Sequence, residues 1–402
     1  MSPINLTALR NPAFRLLAAA QLGFVLGEQI LVVAVTVSLL DAGGDAATVG
    51  VVLAAKGIAS LSLLLVGGVW SDRLPRRRIL IIMLGIDAAA AIVPVLFLAG
   101  RPPAWSLAAV LFAVGAAESF IRPAFNAMLA STLTEEQRVS GRAVVNICTR
   151  VGVIAGPVLG TLLASGLDLL PFVLAAVVFA AGAATFRRVR EPAWTPAARR
   201  SVLGEAWAGF AEAGRRPWLT ALLLFSPVSL MFVIAPSQVL LPLLSRDTFG
   251  SYTAYGTALA CYGAGGLISS VTMMAWQPRR PGVVAVCSMS LYALVPLALL
   301  YAPSVGVLFC CYLVAGFGVE TYALTWDVAM YREVPDHLIG RITSLAWLST
   351  FGLMPFGQAL TGPLTTLLGT DAVLLGAAGL VLVIPPCLLL VRGMAHLRGI
   401  RR

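Results

Sequence analysis

Apolar stretches of about 17–25 residues, each long enough to cross a hydrocarbon core of about 30 Å as a helix, recur along this entire chain. In lipid a backbone must satisfy its own hydrogen bonds, and helices do so within a single segment. Composition agrees. Of 402 residues, 59% are hydrophobic and only 11% charged, with a mean hydropathy of +0.91; soluble domains carry about 25% charged residues. Polar groups this scarce cannot cover a water-exposed surface. The expected fold is an all-α membrane protein with twelve spans: 14–40, 47–70, 79–99, 104–129, 143–166, 169–186, 218–243, 252–276, 282–301, 304–330, 342–367 and 372–391. The first stretch, Phe14–Leu40, is too long for a signal-peptide core and lacks a clear cleavage site.

The net charge of +10 invites a nucleic-acid reading, which the positions of the charges oppose. Of 28 Lys and Arg, 23 fall on segments of one side, only Arg101 and Arg246 on the other, and Lys56, Arg122 and Arg150 within spans. By the positive-inside rule both termini are expected in the cytoplasm, with the excess charge meeting anionic lipid. Arginine- and alanine-rich usage points to a GC-rich bacterial genome, and the expected location is the bacterial inner membrane. The longest polar segment, 187–217, is basic and contains proline. It is expected to link a six-helix half over 1–186 to a second over 218–402. The six cysteines all lie in apolar stretches, so disulfides are not expected.

The halves resemble one another at their fourth spans. Aligning Glu118 with Glu320 also aligns Ala127-Met128 with Ala329-Met330, and both segments follow a Val-Leu-Phe, at 110–112 and 307–309. Parallel repeats about an axis along the membrane normal would give this match.

Between spans two and three stands GGVWSDRLPRRR, 67–78. Gly68, Asp72, Arg73, Arg76 and Arg77 there resemble the signature loop of the major facilitator superfamily, in the expected place and on the expected side. The resemblance implies a twelve-helix transporter with alternating access, in which this loop latches the inner gate. Close helix approach at Gly68 and a helix dipole facing Asp72 would suit that role. In span five, Gly152, Gly156, Pro157 and Gly160 are similar to a motif of superfamily members that exchange substrate for protons. The layout of the first half looks most like the drug/proton antiporters that include macrolide efflux proteins and the enterobactin exporter.

Charges at the bilayer centre are costly and functional by default. Glu28, Glu118 and Glu320 lie near the middles of spans one, four and ten, and the resemblance implies that these line a central cavity. Histidine offers no relay, since His337 and His396 fall on predicted cytoplasmic segments, so a proton carrier must be a carboxylate. Burial favours the neutral acid. Glu28 ranks first because it has no basic partner on its own helix. Glu320 follows, and then Glu118, which Arg122 four residues on would keep ionised. Lys56, the one lysine, is a candidate partner for Glu28 or for an anionic substrate. Asp87 and Arg150 are expected to pair across helices near the inner face. Arg122, Phe125, Gln238, Tyr322, Trp326 and Asp327, with Trp347 in span eleven, are candidates to contact substrate, and acids beside aromatic faces would suit a cationic drug.

The reading is a secondary transporter that exports a small amphiphilic compound in exchange for protons. A proton-coupled importer of a small nutrient is the alternative. No cofactor or metal is expected, the proton gradient being the energy source. The expected partners are substrate, protons and lipid, without nucleic acid, for a functional monomer. An enzyme would need a metal cluster or a nucleophile-base pair at membrane depth, and the motifs for these are absent from the sequence. Retention of the buried charges argues against a non-transporting receptor or scaffold.

Overall fold

The computed structural model describes residues 7–97, 102–165, 168–189, 214, 216–276, 278, 280–334, 336–391 and 394. Among them the chain is helical, with no strand. It divides into two compact units, Met1–Ala198 and Arg199–Arg402. Most of the linker expected over 187–217, and His396, lie outside the described residues.

Unit 1 contains α1 (Pro12–Asp41), α2 (Ala46–Arg73), α3 (Arg76–Ile92), α4 (Ala104–Thr132), α5 (Glu135–Ala164) and α6 (Leu170–Arg188). Unit 2 contains α7 (Pro217–Ser229), a π turn (Leu230–Ile234), α8 (Ala235–Phe249), α9 (Thr253–Ala275), α10 (Pro281–Ser290), a 3₁₀ turn (Leu291–Ala293), α11 (Leu294–Tyr301), α12 (Val305–Glu333), α13 (Asp336–Gly352), α14 (Met354–Leu368) and α15 (Thr370–Leu388). Eleven stretches among the described residues are long and apolar enough to cross a membrane. The remaining expected span, the eleventh (342–367), is present as α13 and α14, broken at Leu353.

The breaks follow proline, which lacks an N–H and clashes with the preceding turn. Pro355 opens α14, Pro236 follows the π turn, and Pro296 lies just past the 3₁₀ turn in unit 2. Helices also run past the expected span ends. The segment α5 begins at Glu135 rather than 143, because its first turns are amphipathic rather than apolar. Asn11 caps α1, its side chain accepting from the N–H groups of Ala13 and Phe14 while its amide donates to the Thr132 carbonyl.

The packing pattern repeats between units. In unit 1, α2 lies on α4, α1 on α5 and α6, and α3 on α4 and α6. In unit 2, α9 lies on α12, and α10–α11 lie on α12 and α15. Glycine makes the tightest of these approaches. A Cβ on Gly115 of α4 would sit 2.1 Å from the Lys56 carbonyl oxygen, and one on Gly316 of α12 would sit 2.0 Å from that of Tyr262. Each glycine lies just before the acid of its helix, Glu118 or Glu320. The outward faces carry large apolar residues such as Trp105, Met274 and Leu367, as a lipid-facing surface requires.

Candidate functional site

Five ionisable side chains converge inside unit 1. Glu28 on α1 and Glu118 on α4 are both buried, at 4% and 6% exposure. Lys56 on α2 bridges them, pairing with Glu28 Oε1 and lying 3.2 Å from Glu118 Oε2. Arg122, one turn beyond Glu118 on the same face, donates from Nε to Glu118 Oε1 at 2.6 Å. Two carboxylates and two cations thus compensate one another. Such compensation is what makes burial of charge tolerable. Lys56 had been expected as a partner for Glu28; it serves Glu118 as well. The ranking of Glu28 above Glu118 rested on the lack of a basic partner on its own helix. The partner comes from the neighbouring helix instead.

The fifth group is Asp87 on α3. It is fully buried, and neither carboxyl oxygen has a hydrogen-bond partner. The expected cross-helix pairing with Arg150 is therefore not made through a hydrogen bond. Asp87 lies within electrostatic range of Glu28, Glu118 and Lys56. Sequence spacing places it near the inner face, whereas its electrostatic neighbours are the groups of the cluster.

Unit 2 arranges its polar groups differently. Glu320 accepts a hydrogen bond from Ser270 Oγ of α9 at 3.2 Å. The hydroxyls of Ser269 and Thr321 lie 2.7 Å apart in the adjacent buried layer. Tyr322 approaches Ser226 of α7 at 3.1 Å and meets Phe225 edge-on. Trp326 packs edge-on against Trp218, and Gln238 accepts from Gln358 at 3.0 Å. Asp327, on the same helix, is exposed. Phe125 in unit 1 is buried in packing, and Trp347 is exposed and stacked on Phe351. Sequence reasoning missed Ser270 and Gln358; a serine or glutamine in an apolar run is too common to single out.

The sequence profile of the Major Facilitator Superfamily matches residues 17–354. The chain belongs to that superfamily. It is a multi-pass membrane transporter and not an enzyme. Among its relatives, the multidrug efflux pump Tap of Mycolicibacterium fortuitum is 28% identical over 91% of this chain and 92% of its own. Macrolide efflux protein A of Streptococcus pyogenes is 24% identical over 76% of this chain and 77% of its own. Among solved structures, the nucleoside transporter NupG shares the fold with a TM-score of 0.73 at 15% identity, covering 94% of this chain and 98% of that one.

In the loop that resembles the superfamily's signature, two arginines reach backbone carbonyls of neighbouring helices. Arg76 Nη1 donates to the Ala127 carbonyl near the end of α4 at 3.1 Å, and Arg77 Nη2 to the Arg187 carbonyl at the end of α6 at 2.6 Å. At the end of α6 the Arg77 guanidinium answers both an open carbonyl and the dipole. Arg73 is exposed, and the side chain of Asp72 lies outside the described residues. The close approach expected at Gly68 falls one residue earlier. A Cβ on Gly67 would meet the Ser119 carbonyl oxygen at 2.1 Å, whereas one on Gly68 meets nothing within 4 Å.

In the span-five motif, Gly152, Gly156 and Gly160 all face α1. Added Cβ atoms would meet Val25 at 2.8 Å, Gln29 at 2.4 Å and Val33 at 3.0 Å. The three glycines bracket Glu28 along α1, and Pro157 is buried among them. The motif thus seats the helix that carries the first acid of the cluster.

Proposed function

We propose that this transporter exports small amphiphilic compounds in exchange for protons, by alternating access, across a bacterial inner membrane with both termini in the cytoplasm. The observation that carries the reading is the buried set Glu28, Lys56, Glu118 and Arg122 on three helices of one unit. Compensated charge is expensive to assemble in a membrane, and an apolar alternative would pack at less cost. Its retention argues for coupling to an ion. The Arg122 side chain is 53% exposed. A guanidinium at that depth is tolerated where it borders a water-filled cavity rather than acyl chains, and such a cavity would give the cluster access to protons. The proton is the ion that carboxylates take up, and the span-five glycines, which resemble those of proton-exchanging transporters, pack against α1 on either side of Glu28. The efflux relatives supply the direction and the class of compound. Aromatic and hydroxyl groups around Tyr322, Trp326 and Gln238, with the acids Glu320 and Asp327, would suit an amphiphilic cation. The functional unit is a monomer.

The test uses proteoliposomes with an acidic lumen and ethidium, a permanent cation, as the probe, beside protein-free liposomes. Antiport moves ethidium inward as protons leave, and Glu28→Gln abolishes the accumulation. Ethidium movement in the direction of proton flow would instead establish the nutrient-importer type of coupling and refute the proposal.

A further inference from the structure

Among the described buried acids Asp87 stands out, because neither of its oxygens has a hydrogen-bond partner. Buried polar atoms in native structures are nearly always hydrogen-bonded, and an exception calls for a cause. Both oxygens of Asp87 are without a partner, at 0% exposure. An ionised carboxylate in that position would be an uncompensated buried charge, the costliest arrangement available. The neutral acid is the form that the surroundings tolerate.

The α3 helix packs on α4 and α6. From α4 come Glu118 and Arg122, already joined to each other. The ionisable groups of α6 are Arg187 and Arg188, at its far end. From α1 and α2 come Glu28 and Lys56. On α3 itself the other charges, Arg76 to Arg78, lie nine or more residues away, about 14 Å along the helix. The local set therefore holds three acids and two cations. Glu118 retains Arg122 whatever Lys56 does. Lys56 has one remaining choice, and two acids to choose between.

We propose that Glu28 and Asp87 share a single proton, with Lys56 neutralising whichever of the two is ionised. In the conformation seen here Lys56 pairs with Glu28, and the proton is on Asp87. In the complementary state the ammonium turns to Asp87, the Asp87 O–H bond breaks, and an O–H bond forms on Glu28. The set stays neutral at each step. One proton changes residence between α3 and α1, directly or by leaving to one compartment and being taken up from the other. This deepens the proton-exchange reading and rests on it for its role in transport. The sharing itself is a property of the five side chains and can be judged apart from it.

The infrared spectrum of the purified protein at neutral pH reads the proton directly, through the C=O stretch of a protonated buried carboxyl. Wild type minus Asp87→Asn gives one such band. Glu28→Gln removes an acid, so Lys56 becomes available to Asp87 and the acids and cations balance. The same band is then expected to disappear in Glu28→Gln although Asp87 is intact. Asp87→Glu, which keeps an acid, retains a band at a shifted position and shows that the variants fold. A band absent from wild type, or one that survives in Glu28→Gln, overturns the proposal. In the ethidium assay, Asp87→Asn loses accumulation against the gradient yet still equilibrates ethidium down it, and Asp87→Glu restores part of the accumulation. If the infrared pattern holds while wild type accumulates no ethidium under a pH gradient, the shared proton stands and the antiport reading falls.

Discussion

The same scaffold position holds Lys56 in the first half and Tyr262 in the second. In each half a glycine on the fourth helix, Gly115 or Gly316, presses against the carbonyl of that residue. In each half an acid follows three or four residues later. Around Glu118 the named partners are cations, Lys56 and Arg122. Around Glu320 the named partner is a hydroxyl, Ser270, beside the Ser269–Thr321 pair. At the place of the lysine, Tyr262 meets Tyr292 edge-on. Duplicated helices keep their backbone packing because glycine contacts admit no substitute, while the side chains between them are free to diverge. One half keeps compensated charge, which suits ion coupling. The other keeps hydroxyl and aromatic groups, which suit an organic ligand on the proposed reading.

The largest expected effect tests that contrast at its centre. Lys56→Met leaves two buried carboxylates short of a cation, and loss of one partner of a buried pair costs about 3–5 kcal/mol. Tyr262→Phe at the matching position removes one hydroxyl and keeps the ring against Tyr292, so it should cost no more than about 1 kcal/mol. Thermal unfolding in detergent reads both. Adding Glu28→Gln to Lys56→Met should recover much of the loss, because the uncompensated charge goes with it. Equal, small effects from Lys56→Met and Tyr262→Phe would erase the contrast between the halves.

A second pair tests what the halves share. Gly115→Val and Gly316→Val each force a side chain into a backbone already in contact, and overpacking costs about 1–3 kcal/mol. Similar losses in the two variants are expected, since the clashes are alike. Gly68→Ala meets open space and should be neutral or stabilising by up to about 1 kcal/mol, as for a glycine within a helix. A large loss at Gly68 would return the close contact to the motif glycine itself.

That glycine shows where the sequence stops being informative. Spans were legible because hydropathy is a local property summed over about 20 residues, and the loop 67–78 was legible because its residues are contiguous. Which face a helix turns to its neighbour is set by packing. Adjacent residues differ by about 100° around a helix of 3.6 residues per turn, so Gly67 and Gly68 look alike in sequence and meet different surroundings. The same limit hid the sharing of Lys56 between two acids and the isolation of Asp87. The pairing of Glu118 with Arg122 was legible because a spacing of four fixes it on one helix. The breaks within spans were not legible either, since a proline in the sequence does not show whether the helix will bend, make a π or 3₁₀ turn, or end.

A third measurement weighs the second half alone. Ser270→Ala removes the hydroxyl donor of Glu320 and should cost about 1 kcal/mol of stability. A loss as large as that of Lys56→Met would mean that Glu320 depends on its partner as a buried ion does, and the halves would differ less than their side chains suggest.

The smallest effect carries the contrast out to the loops. Both the α1–α2 and the α8–α9 connections turn on a glycine of positive φ, Gly43 and Gly250. Next to each, a short side chain binds a threonine at the start of the following helix. Asp45 accepts from the Thr48 N–H at 2.9 Å and from its hydroxyl at 2.7 Å. Ser251 accepts from the Thr253 N–H at 3.1 Å. The Thr48 hydrogen bonds hold the Asp45 carboxyl below its ordinary range. A depressed carboxylate contributes stability above its unfolded pKa and loses it as pH falls through the folded one. Asp45→Ala should therefore cost about 1 kcal/mol at neutral pH, the usual worth of a helix cap, and progressively less below about pH 4. Ser251→Ala should cost a similar or smaller amount with no dependence on pH, because a hydroxyl does not titrate in that range. Unfolding curves for the two variants across acid pH would diverge on this reading. Parallel curves would show that the charge of Asp45 adds nothing to its hydrogen bonds, and the preference of the first half for charge would then be confined to its interior.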